Sequence, residues 1–204
     1  MKNKSLYLDK SKFEIIYDTL FPNGTNSDKI DLKKRTVIAF AGVPCSGKST
    51  VSRKIEKRYG GVRINLDDVM RIITEKNLVE TIEQNEEMKN LFIYTFLKNS
   101  FLKNKLIILD KSMDREYERF FKVCKENEWD YLIVQLKLKK QEAIRRIEKR
   151  NSDNLSNWIP RIDKWFNEHE EFKKNVKADI LMDGTKSNFE VLFDNLDKRF
   201  SILK

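Results

Sequence analysis

The sequence predicts an α/β fold in which a five-stranded parallel sheet is sandwiched between helices. Three observations carry that expectation. Short apolar runs rich in Val, Ile and Leu, as strands buried on both faces require, alternate with longer segments whose apolar residues recur at helical spacing. Only six glycines and three prolines occur in 204 residues, which suits long helices. The first strong apolar run, TVIAFA at Thr36–Ala41, leads through a glycine-bearing turn directly into a helical pattern.

The elements follow in order. Ser11-Lys12-Phe13-Glu14 reads as a capping box, and Phe13, Ile16, Tyr17 and Leu20 share one face, predicting a helix that ends near Phe21. Pro22-Asn23-Gly24 is a turn, and residues 26–35 form a polar link. This leader, 1–35, is expected to pack outside the core of 36–204 or to contribute to a substrate site. After the strand Thr36–Ala41 and the turn, Val51, Ile55 and Tyr59 mark the next helix, stopped by Gly60-Gly61. Val62–Leu66 is a second strand, with Asp67-Asp68 at its C-terminal end and Arg71 one helical turn on. A long helix from about Thr81 to Lys103 carries Met88, Phe92 and Phe96. Leu106–Leu109 is a third strand ending in Asp110.

A helix over about Asp114–Glu126 points Tyr117, Phe120, Phe121 and Cys124 inward, and Tyr131–Leu138 is a fourth strand. Gln141–Asn151 is an arginine-rich helix, and another opens near Ser156 with Pro160 in its first turn. Ala178–Met182 is the fifth strand, Asp183-Gly184 a turn, and Phe189, Leu192, Phe193, Leu196 and Phe200 mark the last helix. No internal repeat or linker interrupts the pattern, so one domain over 1–204 is expected, with a lid near 139–155.

Two cysteines cannot build a disulfide scaffold, and with a single histidine they rule out a zinc site of ordinary composition. No apolar run approaches the length of a membrane span, and the first residues, MKNKSLYLDKSK, lack a signal-peptide core. The chain therefore reads as a cytoplasmic protein with reduced thiols and no membrane partner. A net charge of +9 favours polyanions such as nucleotides, nucleic acid or phosphorylated metabolites, although lysine-rich chains are also common where the excess serves solubility.

The turn after the first strand, Gly42-Val43-Pro44-Cys45-Ser46-Gly47-Lys48-Ser49, matches G-x-x-x-x-G-K-[ST] in full and is followed by Thr50. Gly42 and Gly47 let the backbone turn tightly with its N–H groups pointing inward, and the new helix adds its positive end. Lys48 can reach the β- and γ-phosphates, and the Ser49 hydroxyl can hold Mg²⁺. The fold class sharpens to a P-loop NTPase-type α/β protein with an Arg-rich lid helix, whose cofactors are ATP and Mg²⁺. A guanine-reading Asn-Lys-x-Asp segment is absent, and the third strand ends in Asp110-Lys111 rather than the paired Asp-Glu of motor ATPases. A kinase needs a base near an acceptor hydroxyl and cations around the transferred group, and both are available.

The combination of GVPCSGKST, INLDDVMR, IILDKS and AIRRIEKRN resembles the polynucleotide-kinase branch of the P-loop kinases, a group related to the zeta-toxin and chloramphenicol-phosphotransferase families. It covers about Val37 to Arg150. The resemblance implies that Lys48 and Ser49 hold phosphates and Mg²⁺ and that an Asp of the 67–68 pair is the general base. It further implies that Arg71 contacts substrate and that Arg146 and Arg150 clamp phosphates from the lid. Cys45 stands where many members have glycine, which is tolerable if that residue avoids positive φ. The Ile64-Asn65 lead-in favours Asp67 as the base, whereas the Asp-x-x-Arg spacing favours Asp68.

Each candidate also has a plainer reading. Asp67 and Asp68 could cap a helix, and Asp110 could terminate its strand rather than meet Mg²⁺-bound water. Arg146 and Arg150 form one stripe, Arg145 and Lys149 an adjacent one, and either could be a solvated face. Trp158, Trp165 and Phe166 suit a core more than a base-stacking platform. His169 is expected on an exposed helix face, and Cys45 as a loop filler near a helix N-terminus, open to alkylation. The reading that results is an ATP- and Mg²⁺-dependent phosphotransferase whose acceptor is a nucleic-acid 5′-OH, on RNA or DNA, or a nucleotide-like hydroxyl. The alternatives are a metabolite or antibiotic kinase and a nucleic-acid-binding module with a regulatory ATP site.

Overall fold

The computed structural model describes residues 8–25, 28–98, 104–150, 155–185 and 189–201, apart from the side chains at 82 and 155–157. Its centre is β1 (Thr36–Ala41), buried along its whole length. β1 pairs in parallel with β3 (Leu106–Ser112) and with β4 (Asp130–Lys137). β2 (Val62–Asn65) extends the sheet beyond β3, and β5 (Ile180–Asp183) extends it beyond β4, both parallel. The resulting order, β2-β3-β1-β4-β5, is the five-stranded parallel sheet the sequence predicts.

Side chains alternate across a strand, so each apolar strand feeds two cores. Val37, Ala39, Ile107, Leu109 and Ile133 join a cluster with residues of α1 (Lys10–Leu20), α3 (Leu66–Glu75), α4 (Ile82–Lys98), α5 (Tyr117–Glu126) and α7 (Leu155–Asn175). Ile38, Phe40, Leu106, Ile108, Leu132 and Val134 face the other way, onto α2 (Lys48–Tyr59) and α8 (Phe189–Arg199). Burying such a side chain contributes about 1.5–3 kcal/mol. α6 (Lys140–Arg150) lies against α7. No described helix is long and apolar enough to cross a membrane.

From β1 the chain first builds β2 and β3 on one side, then crosses to β4 and β5 on the other. The C-terminal end of β1 is thus a topological switch point, where parallel sheets of this kind bind ligands. The phosphate-loop candidates sit at that end, Gly42 directly after β1 and Asp110 on the neighbouring β3.

Several boundaries differ from the sequence reading for local reasons. Asp9, not Ser11, caps α1 by accepting the Lys12 N–H at 3.0 Å. The leader does not lie outside the core: Phe13 and Ile16 are buried in the same cluster as Val37. Phe13 stacks on Phe92 at 5.2 Å, because α4 is apolar on more than its sheet-facing side and α1 covers the remainder. Thr81 begins α4 as an N-cap, its hydroxyl accepting the Gln84 N–H at 3.2 Å while Gln84 reaches back to the Glu80 N–H. The expected extension of that helix to Lys103 falls outside the described residues beyond Lys98, as do residues 26–27 of the polar link and 151–154 of the lid.

β2 ends one residue early because Asn65 turns from strand to cap, its side chain accepting the N–H groups of Asp67 and Asp68. β3 runs three residues past Leu109, which sets Asp110 beside Asn65 within the sheet. α5 begins at Tyr117 rather than Asp114, since residues 114–116 form a turn. Pro160 falls inside α7 rather than in its first turn.

Candidate active site

The loop after β1 is shaped by three residues with positive φ. Gly42 has φ 140°, and a Cβ there would lie 2.7 Å from the Leu136 carbonyl oxygen, so no side chain fits. Gly47, at φ 103°, caps α2 with no side-chain hydrogen bond, which leaves the first amides of that helix directed at the loop's hollow. Between them Cys45 also adopts positive φ, 61°, contrary to the condition set from sequence. A left-handed conformation costs a non-glycine residue roughly 1–2 kcal/mol. Arg146 donates to the Cys45 carbonyl at 3.1 Å and helps to hold that turn. The turn after β5 closes the loop from behind, because Gly184 approaches the Ser46 carbonyl too closely for any larger residue.

Lys48 reaches back over the loop and donates to the carbonyls of Gly42, at 2.7 Å, and Val43, at 2.8 Å. Burial pulls its ammonium below the ordinary lysine range, while the carboxylates of Asp114, Asp110 and Asp67 oppose that shift. A cation held over inward-pointing amides, with carboxylates around it, is suited to receive a polyphosphate.

Ser49 and Asp110 form the second part of the site. The Ser49 hydroxyl donates to Asp110 at 3.0 Å. Asp110 is almost wholly buried, and its other oxygen accepts from the Arg63 guanidinium and from the Asn65 amide at 3.0 Å. Arg63 in turn donates to the Ser52 hydroxyl at 2.9 Å. A hydroxyl beside a carboxylate provides hard oxygen donors, as Mg²⁺ prefers. Among the described residues no three His, Cys, Asp or Glu side chains gather to hold a metal alone. The residues present therefore fit an ion that completes its shell with phosphate oxygens and water.

The acidic pair divides. Both residues lie in the first turn of α3, and both backbone amides are capped by Asn65. Asp67 is exposed, and its carboxylate is the smallest of the acidic contributions at Lys48. Asp68 lies 3.8 Å from Arg71 on its own helix. Arg71 is more than half exposed and pairs on its own helix with Glu75 at 3.0 Å.

The two arginine stripes of α6 also separate. Arg146 reaches Cys45, and Arg150 approaches the Cys45 thiol at 4.0 Å. Arg145 is 69 % exposed and faces Glu142. Arg145 and Arg146 hold the Glu142 carboxyl at about 2, far below its ordinary value. Arg146 and Arg150 thus overhang the loop. We expect Arg146→Ala and Arg150→Ala each to lower kcat by about 10²-fold, with Arg145→Ala within about twofold of wild type. Steady-state kinetics on the three variants tests this, and equal small effects would return α6 to a solvated face.

Sequence reasoning missed a buried polar relay beneath the loop. Asp114 accepts the Gly42 N–H at 3.2 and 3.3 Å and contacts His169 Nδ1 at 3.1 Å. The other ring nitrogen of His169 lies 3.3 Å from the Gln135 amide. His169 is buried, not exposed as expected, and its ring lies parallel to Phe172. The one available signal was a polar Gln135 within the apolar run of β4. Arg63 and Asn65 were likewise overlooked, although they occupy alternate positions of a half-buried strand. Trp158 and Trp165 meet edge to face at 5.4 Å and are half-buried.

A glycine-bearing loop between the central strand and a helix, at the switch point of a parallel sheet, defines a fold of the P-loop NTPase type. The chain belongs to the AAA domain family, whose model matches residues 38–158. Among solved structures, a gluconokinase from Sinorhizobium meliloti 1021 aligns with a TM-score of 0.56 at 15% identity, over 83% of this chain and 95% of that one. A shikimate kinase from Bacteroides thetaiotaomicron aligns with a TM-score of 0.55 at 11% identity, over 82% of this chain and 99% of that one. At these identities the likeness is one of fold. No curated protein matches significantly by sequence.

Proposed function

We propose that the protein is an ATP-dependent phosphotransferase acting on a hydroxyl of a small molecule. The observation that carries this reading is the phosphate loop itself, with Lys48 bonded over it and Ser49 against Asp110, together with Asp67 exposed on the first turn of α3 directly after β2. A base beside the phosphate loop is what a hydroxyl acceptor needs and what a purely regulatory nucleotide site lacks. The resemblance to the polynucleotide-kinase branch favours a nucleic-acid end. The solved structures sharing the fold, a gluconokinase and a shikimate kinase, favour instead the small-molecule alternative.

In this mechanism the acceptor oxygen attacks the γ-phosphorus of ATP in line as its proton passes to the Asp67 carboxylate. The bond from the γ-phosphorus to the bridging oxygen breaks, and ADP leaves. Lys48 and the amides of Gly47 and Ser49 stabilise charge on the phosphate oxygens, and Arg146 and Arg150 do so from the lid. Mg²⁺, when held by Ser49 with Asp110 behind it, supplies further charge neutralisation. Arg63 and Asn65 keep Asp110 oriented.

The test is transfer from γ-labelled ATP to a panel containing small hydroxy compounds and 5′-OH RNA and DNA. Label on a small molecule is the expected result. Label on oligonucleotide ends alone would restore the polynucleotide reading, and ATP binding with no labelled acceptor would leave a binding module.

A further inference from the structure

The ladder between β1 and β3 stops short of the phosphate loop, and a side chain takes over where it ends. Its last rung is the Met113 N–H, which donates to the Phe40 carbonyl at 2.8 Å. Beyond Met113 the chain leaves the sheet in the turn at 114–116. The Gly42 N–H, two residues after Phe40 and on the same side of the strand, is accepted there by the Asp114 carboxylate at 3.2 and 3.3 Å. The Gly42 carbonyl is bound as well, by Lys48 at 2.7 Å and by the Ser112 hydroxyl at 3.1 Å. Both peptide groups flanking the Gly42 Cα are thereby held, at the residue whose φ of 140° directs the loop.

The carboxylate is itself fixed from below. Its side chain and that of His169 on α7 are each only 8% exposed, and they meet through Nδ1 at 3.1 Å. Gln135 of β4 lies 3.3 Å from Nε2 through its amide nitrogen, which can only donate. Nε2 is therefore the accepting nitrogen, and the ring proton sits on Nδ1, where it is donated to Asp114. The loop, β4 and α7, far apart in the chain, converge on one buried carboxylate. A neutral side chain could accept the Gly42 N–H at a lower cost of desolvation. What a carboxylate adds is charge that acts on Lys48. Burial draws the Lys48 ammonium below its ordinary range, and Asp114 is foremost among the charges opposing that shift.

We propose that Asp114 and His169 are positioning residues for nucleotide binding: Asp114 fixes the Gly42 peptide and opposes the Lys48 charge, and His169 fixes Asp114. The proposal deepens the phosphotransferase reading above and rests on it for the nucleotide. Neither side chain touches ATP. When a polyphosphate enters the loop, Lys48 exchanges the carbonyls of Gly42 and Val43 for phosphate oxygens. The bond from the Gly42 N–H to Asp114 then keeps the start of the loop in place while its carbonyl is released. Without the Nδ1 donor the carboxylate is free to turn, and the amide and the lysine it governs lose their set positions. A displacement of about 1 Å in such groups is enough to cost about 10²-fold.

His169 is the single histidine of the chain, so nitrogen NMR of the untagged wild-type protein reads its ring directly. The expected spectrum is that of the Nδ1–H tautomer, and ATP with Mg²⁺ should shift both ring nitrogens as Lys48 leaves the Gly42 carbonyl. The Nε2–H tautomer, or ring signals unmoved by bound ATP, would overturn the proposal even where a variant fails to fold. Calorimetric titration with ATP supplies the second readout. His169→Leu removes the donor and should weaken ATP binding by about 10–100-fold. His169→Asn can place an amide nitrogen where Nδ1 stands and should recover most of that affinity. Gln135 loses its partner in both variants, so their melting temperatures should fall alike, which a purely structural role would carry over into equal affinities. Asp114→Asn should drive the ring to the Nε2–H tautomer and weaken ATP binding comparably. Wild-type affinity in His169→Leu, or His169→Asn as weak as His169→Leu, would reduce the pair to packing. ATP affinities in the expected order with no labelled acceptor would overturn the phosphotransferase reading alone, and no ATP binding by the wild type would overturn both.

Discussion

Lys48→Ala is expected to lower phosphoryl transfer by about 10³-fold or more while leaving the fold intact. The ammonium is bonded to the Gly42 and Val43 carbonyls, whereas Arg146 and Arg150 meet the loop at Cys45, so alanine removes the cation from that part of the loop. The structural cost is smaller. Lys48 donates to two loop carbonyls, Gly42 and Val43, and losing such bonds at a half-buried position costs about 1–3 kcal/mol. Single-turnover transfer, measured beside a thermal melt, separates the two effects. A variant that melts close to wild type and turns over normally would remove the phosphotransferase reading at its root.

How much of this site could be read from the sequence depends on how local each feature is. The phosphate loop was legible because strand, turn and helix lie within Thr36–Tyr59, and backbone geometry dictates the glycines. The parallel sheet was legible for a similar reason, since its central strands β1, β3 and β4 are apolar over most of both faces and need no knowledge of their neighbours. Cys45 shows where that locality ends. Its left-handed conformation is tolerated because Arg146, 101 residues away, bonds its carbonyl. His169 gave no local signal at all, for its partners are 55 residues away in Asp114 and 34 in Gln135. The burial of Lys89 on α4 and Lys111 on β3 likewise depends on elements distant in the chain, and a lysine in sequence looks the same whether solvated or enclosed. Arg71, for which the resemblance implies a substrate contact, pairs along its own helix with Asp68 and Glu75, a contact its spacing also allows.

The acidic pair brings sequence and structure to a single measurable choice. Asp67→Asn should lower single-turnover transfer by about 10³-fold with ATP affinity within about twofold, because a general base acts on the acceptor and touches no nucleotide group. Asp68→Asn should stay within about fivefold, since its carboxylate pairs on the surface with Arg71 and such pairs contribute little. Neither change removes the Asn65 cap, and each loses only the favourable placement of an acid in a helix's first turn, about 0.3–1 kcal/mol. Folding therefore survives in both variants, and inactivity in one has a chemical origin. The decisive comparison is the pair measured side by side. Loss in Asp68→Asn with normal Asp67→Asn would reverse the assignment. Near-normal transfer in both would leave Asp67 and Asp68 as ordinary first-turn acids, and the hydroxyl proton would need another acceptor, for which Asp114, buried beside Gly42 and Lys48, is the nearest carboxylate to the loop backbone.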